Sequence, residues 1–202
     1  MLARREASRA GAIAARGRYD AAMPPLRIGI ISDTHGLVRP EVHEAFAGVD
    51  HILHAGDLGG EDVLLELRAI APVTAVAGNV DGFECGDAGR DARITLGGLR
   101  FFLTHILDRP ADPLDQVTQA LREEPADVVI FGHSHLPHDE KLGPLWFFNP
   151  ASAGPRRFDY PVSVGFFEQD ATGRWSSRHL GLDPRSRAVL ASGKHVNQLS
   201  RP

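Results

Sequence analysis

Seven residues with metal-ligand chemistry stand at intervals along this chain, each shortly after an apolar run that reads as a strand. Asp33 and His35 follow LRIGIIS, Asp57 closes HILHAGD, and Asn79 follows VTAVAG. His105 closes LRFFLTH, and His133 and His135 lie in FGHSH after DVVI. Singly, each has a plainer role: Asp33 and Asp57 as helix caps, Asn79 as a turn residue beside Gly78, His105 as a strand-end histidine. Jointly they describe a site, because ligands gather at the carboxyl ends of strands in open sheets. Residues i and i+2 of an extended segment point the same way, about 6.5–7 Å apart. Ions of a two-metal site sit about 3.5–4 Å apart, so His133 and His135 can reach one ion each or share one. Glycines before Asp57, Asn79 and His133 let the backbone turn sharply. Carboxylate and imidazole donors without thiolate suit Mn2+, Fe or Zn2+ and argue against a structural zinc; Mn2+ is the expected ion, with Fe, Zn2+ or Ni2+ as alternatives.

The elements that must position these residues change character along the chain. LRIGIIS is a nearly continuous apolar run, the pattern of a strand covered on both faces. Helices are expected in EVHEAFAG, closed by Gly48, in EDVLLELRAI and in DPLDQVTQALREE. ARITL and LRFFL flank Gly97-Gly98, a hairpin signal. LWFFN, VSVGFFEQ and RWSSRHL add three strand-length segments late in the chain. The first half is βαβα and the second mostly β, which predicts one α+β domain of two facing sheets with outer helices over residues 25–182. Residues 1–24 read as a flexible extension or an upstream start with Met23 as initiator, and residues 183–202 as a loosely held tail.

At 202 residues with net charge −4, the chain has room for one full core and no general attraction to nucleic acid. Cys85, the single cysteine, excludes an internal disulfide and fits a reducing compartment. No apolar run reaches the ~18 residues of a membrane span. The expectation is a cytoplasmic protein with no membrane or nucleic-acid partner; a homo-oligomer is left open.

The series DTH, HAGDLG, GNVD, a lone histidine after a strand, FGHSHLP and NPASAGPR resembles the calcineurin-like metallophosphoesterase superfamily, in its small bacterial and archaeal phosphodiesterase branch. That branch includes the retromer scaffold subunit. The resemblance covers about residues 26–170 and implies a four-layer αββα sandwich of two mixed sheets holding two divalent metal ions. Asp33, His35 and His135 would hold one metal, Asn79, His105 and His133 the other, and Asp57 would bridge both and hold the attacking water. Two ions can ionise such a water near neutral pH. The implied reaction is hydrolysis of a small phosphodiester without a covalent enzyme intermediate. The alternatives are a protein-binding scaffold with little catalysis, and a phosphomonoesterase or nucleotide pyrophosphohydrolase.

Other residues carry weaker expectations. His54 reads as core or as support for a ligand, with leaving-group acid as a minority role. Asp81 would orient a ligand from behind, Asn149 would fix the NPAS loop, and Arg156 would either touch substrate phosphate or pair with a carboxylate. His138, beyond Pro137, is a bystander, and His43, His51, His179 and His195 read as surface residues. Three departures from the family matter. Val80 stands where many members carry the histidine that protonates the leaving group, Leu107 replaces the second histidine of HGH, and NPAS replaces NPGS. With no acid assigned, a preference for good leaving groups is expected.

Overall fold

The computed structural model describes residues 25–200 apart from 83, 84, 86 and 87, so the expectations for residues 1–24 lie outside the described residues. One mixed sheet contains β1 (Leu26–Ile31), β2 (His51–His54), β3 (Val73–Ala75), β11 (Ser163–Gln169) and β12 (Trp175–Gly181), in the order β12-β11-β1-β2-β3. The other contains β4 (Asp91–Leu96), β5 (Leu99–Thr104), β8 (Val128–Ile130), β9 (Pro137–Leu142) and β10 (Leu145–Pro150), in the order β4-β5-β8-β10-β9. In each sheet three adjacent strands run parallel: β1, β2 and β3 in the first, β5, β8 and β10 in the second. A small hairpin of β6 (Asp108–Arg109) and β7 (Asp112–Pro113) stands apart.

β1 shows why its sequence is apolar from Ile28 onward. Ile28 and Ile30 face the second sheet, while Ile31 faces the helices. Burial on both faces leaves no position for a polar side chain beyond Arg27, which sits at the half-buried start and pairs with Glu168. The second sheet repeats this in β10, where Trp146 and Phe148 turn inward and Phe147 turns out. Between the sheets, Phe167 meets Phe148, Phe101 and Trp146 edge-on, with centroids 5.2, 5.5 and 4.8 Å away.

Helices α1 (Pro40–Phe46) and α2 (Glu61–Arg68) cover the first sheet through Val42, Phe46, Val63, Leu64 and Leu67. Helix α3 (Asp115–Glu123) covers the second through Val117, packed on Phe102, Val129 and Phe147. The expected helix–sheet–sheet–helix layering is therefore observed. The β4–β5 hairpin turns at Gly97-Gly98, both at positive φ, with Leu96 opposite Leu99.

Two elements differ from the sequence expectation. The segment from Asp183, expected to be loosely held, forms α4 (Pro184–Ala191) packed against β12. Asp183 caps it by accepting from Ser186 N–H at 2.8 Å, and Ser186 is fully buried. The polar PHDEKL segment is a strand, β9, because pairing with β10 satisfies its backbone and only His138 of its first polar residues must be buried.

Candidate metal centre

All the candidate ligands lie on loops at the carboxyl ends of β1, β2, β3, β5 and β8, where the parallel strands of both sheets end. The first two loops are zipped together by their backbones. Asp33 N–H donates to Gly56 O (2.9 Å), His35 N–H to Asp57 O (2.9 Å) and Gly36 N–H to Leu58 O (2.7 Å). Within the second sheet Gly132 N–H donates to His105 O (3.0 Å), and that sheet joins the first through His133 N–H to Asp33 Oδ2 (3.2 Å).

Five of the seven residues hold left-handed backbone conformations: Asp33 (φ 54°), His35 (47°), Asp57 (53°), His133 (65°) and His135 (57°). Each costs on the order of 1 kcal/mol or more and persists only where surrounding structure enforces it. The expectation that His133 and His135 point to one side of an extended segment is thus corrected. β8 ends at Ile130, and GHSH is a tight turn whose two histidines are aimed by positive φ. Glycines beside the ligands also serve mostly by lacking a side chain. A Cβ on Gly78 would lie 2.0 Å from Asp57 Oδ1, and one on Gly132 2.0 Å from Ser32 Oγ.

Two clusters share Asp33: Asp33, His35 and His135 in one, Asp33, Asp57 and His105 in the other. In the first, His135 Nε2 lies 3.2 Å from Asp33 Oδ1 and 3.5 Å from His35 Nε2. In the second, His105 Nε2 lies 3.2 Å from Asp57 Oδ1 and 3.1 Å from Asn79 Oδ1. Asp57 faces both clusters, since its Oδ2 is 3.8 Å from His35 Nε2. His133 stands at the exposed rim, its ring edge-on to His105 at 5.2 Å.

The donor set fits a cation. His105 Nδ1 is 2.7 Å from Ala55 O, which orients it to donate there and turns the Nε2 lone pair toward two oxygen acceptors. Asp33 Oδ2 accepts from Ser32 Oγ at 2.6 Å, whereas Oδ1 is buried without a hydrogen bond. A buried bare carboxylate oxygen is costly unless positive charge faces it. Burial lowers the His35 and His133 imidazoles, which favours the neutral, ligating form. Burial works against the charged His105, but its bond to Asp57 and the nearby Asp33 raise it overall. Burial likewise opposes the Asp57 carboxylate, yet its bonds with His105 and Val80 N–H bring it down to about 2.

The geometry and the sequence comparison agree on what kind of domain this is. A family model described as the calcineurin-like phosphoesterase superfamily domain matches residues 26–172. The chain belongs to that superfamily. A probable metallophosphoesterase of Methanothermobacter thermautotrophicus is 39% identical over 143 residues, covering 68% of this chain and 83% of that protein. A phosphodiesterase of Methanocaldococcus jannaschii is 27% identical over 143 residues, covering 62% of this chain and 82% of that one. The structure of Vacuolar Protein Sorting 29 from Cryptosporidium parvum aligns with a TM-score of 0.62 at 17% identity, over 78% of this chain and 98% of that chain. At that identity the likeness is one of fold alone.

Around the centre of this calcineurin-like domain the remaining expected residues separate. Asp81 accepts from the N–H groups of Leu58 (2.9 Å), Gly59 (2.9 Å) and Gly78 (2.8 Å), clamping the Asp57 loop to the Asn79 loop. Asn149 donates to Gly132 O (2.8 Å) and accepts from Ala151 N–H (2.9 Å), tying GHSH to NPAS. His54 is fully buried. Its Nδ1 accepts from Gly56 N–H (3.2 Å), leaving Nε2 to donate to Thr34 Oγ1 (2.9 Å). Burial pushes it down to about 4, against the pull of Asp33 and Asp81. It is therefore neutral at pH 7 and engaged at both nitrogens.

Arg156 does not face the centre. It pairs with Asp183 and donates to Tyr160 O (2.8 Å) and Ser186 Oγ (3.1 Å), holding its loop to α4. The next residue was not anticipated: Arg157 donates to His35 Nε2 at 3.3 Å. The only sequence signal was the doubled arginine, which does not say which of the two turns inward.

The other histidines also find places. His138 is fully buried in β9, with Nε2 3.1 Å from Glu140, outside both clusters. His179, expected at the surface, instead stacks on Phe148 at 4.6 Å, with Nε2 2.8 Å from Asn149 O. Leu107 is buried in the α3 core, so the position of the absent family histidine has turned inward. Val80 is 57% exposed beside the site and brings no proton donor in its side chain.

Proposed function

We propose that this protein is a metal-dependent phosphodiesterase with a dinuclear centre. The observation that carries the reading is the convergence of Asp33, His35, Asp57, Asn79, His105, His133 and His135 from two sheets, with Asp57 presenting one oxygen to each side. Asp33, His35 and His135 would hold one divalent ion, and Asn79, His105 and His133 the other, with Asp57 shared. Such ions, when bound, neutralise phosphate oxygens and make hydroxide available near neutral pH. The carboxylate and amide oxygens suit Mn2+, and the imidazoles also admit Fe or Zn2+.

The chain's own residues supply the rest. Asp57 orients a water through its carboxylate, and the left-handed turns hold five donors in place before substrate arrives. A cavity of about 420 Å3 opens beside Asn79 and His105, walled by Arg90, Thr104, Ile106 and Gln116 among others. It gives room for one ester substituent. With Val80 and Leu107 in place of histidines, no side chain is assigned to protonate the leaving group, and aryl esters should be cleaved faster than alkyl esters. Alkyl monoesters, whose poor leaving groups need that proton, fit less well.

The test combines metal analysis with hydrolysis of a bis-aryl phosphate after adding Mn2+. Bound metal and turnover are expected, with both sharply reduced in Asp57→Asn and His133→Ala. Stoichiometric metal without hydrolysis would instead favour a protein-binding scaffold.

A further inference from the structure

Two adjacent arginines on the loop after β10 meet opposite fates. Arg156 is consumed by Asp183, Tyr160 O and Ser186. Arg157 is exposed along its length, and its guanidinium reaches the centre at His35 Nε2, 3.3 Å away. Among the described residues no carboxylate is recorded pairing with it.

That contact cannot coexist with the proposed ligation. His35 Nε2 has one lone pair in the imidazole plane, and the same nitrogen faces Asp57 Oδ2 at 3.8 Å and His135 Nε2 at 3.5 Å. A cation held there takes the lone pair, and the guanidinium loses its acceptor. A guanidinium carries five donors in a planar fork and stays charged at any working pH. Left beside a cation, it is repelled unless an anion lies between them. The loop carrying it is not free to swing far, because Arg39 donates to Ala153 O (3.2 Å) and Gly154 O (3.0 Å), and Arg156 anchors the other side.

We infer that Arg157 contacts the substrate, its guanidinium gripping a non-bridging oxygen of the phosphodiester on the Asp33–His35–His135 side of the centre. This rests on the phosphodiesterase reading and assigns a residue to it. The fork matches a pair of phosphate oxygens, and charge gathers on those oxygens as the attacking oxygen approaches phosphorus. Arg157 thus binds substrate and gains strength as the reaction proceeds. Lysine would restore charge without the fork.

The experiment compares wild type with Arg157→Ala and Arg157→Lys, all loaded with Mn2+. Three quantities are read: metal stoichiometry, the affinity for inorganic phosphate by calorimetry, and kcat and KM for a bis-aryl phosphate. Arg157→Ala should keep full metal, bind phosphate more weakly and lose roughly 10- to 100-fold in kcat/KM, the range of a hydrogen bond to a charged group. Arg157→Lys should recover part of both losses. Unchanged phosphate affinity and kcat/KM in Arg157→Ala would overturn the assignment. Loss of metal in parallel with activity would also overturn it, since Arg157 would then only support His35. If wild type bound metal but hydrolysed nothing, the phosphodiesterase reading would fall, and phosphate affinity would still decide Arg157.

Discussion

At the residue scale, His54 has the clearest measurable consequence. Its imidazole titrates near 6.5 when solvated, and burial lowers it to about 4 in the fold. Between those values the unfolded chain binds more protons than the native one, so stability rises with pH across that window. Stability should therefore be complete above about pH 6.5 and decline as pH falls toward 4, by roughly 3 kcal/mol in all. Urea unfolding at intervals from pH 4 to 7 reads this directly. In His54→Asn the same window should show a shallower slope, whatever the absolute stability. A slope identical to wild type would mean that other groups carry the dependence.

At the scale of elements, α4 and the NPAS loop are one device. Asp183 both caps α4 and receives Arg156 from the loop that ends at Arg157. Asp183→Ala removes the cap and strands the arginine, and should cost about 1–2 kcal/mol. A drop in Tm of roughly 2–8 °C is expected for a domain of this size. Asp183→Asn keeps a cap acceptor and should lose less. Equal thermal midpoints for wild type and Asp183→Ala would show that the cap contributes nothing. These elements also show how much was legible. β1, α2 and the Gly97-Gly98 hairpin followed from periodicity and turn residues, which are local properties. α4 was missed because its apolar residues run consecutively in AVLA and show no helical spacing, so its existence depends on the Asp183 cap and on burial of Ser186 against Val162 N–H (2.8 Å). β9 was missed because a strand rich in charge is recognised only from its partner, β10. For the site, the candidate ligands could be named from order and residue type, whereas Arg156 and Arg157 could not be told apart.

At the scale of the whole molecule, the centre exists because two sheets dock. Asp33, His35, Asp57 and Asn79 come from one, His105, His133 and His135 from the other, and the aromatic contacts of Phe148, Phe101 and Trp146 with Phe167 hold the two together. Phe148→Ala should cost about 3–5 kcal/mol and loosen retention of an added divalent metal, though Phe148 is no ligand. Leu65→Ala, at a side chain of α2 that is 56% exposed, should change neither. Denaturant midpoints and dialysis against a chelator, measured on the same preparations, check both statements.

The sequence alone determined the family, the layered class of fold and the set of candidate ligands, because each depends on residue types in a fixed order at strand ends. Tertiary structure decided what order and type cannot encode. It brought GHSH into a left-handed turn, made Asp57 face both clusters, drew His179 against Phe148, and sent Arg156 to α4 and Arg157 to His35. Each of those outcomes depends on which partners lie within about 3–4 Å across long stretches of chain, a distance that spacing along the sequence does not contain.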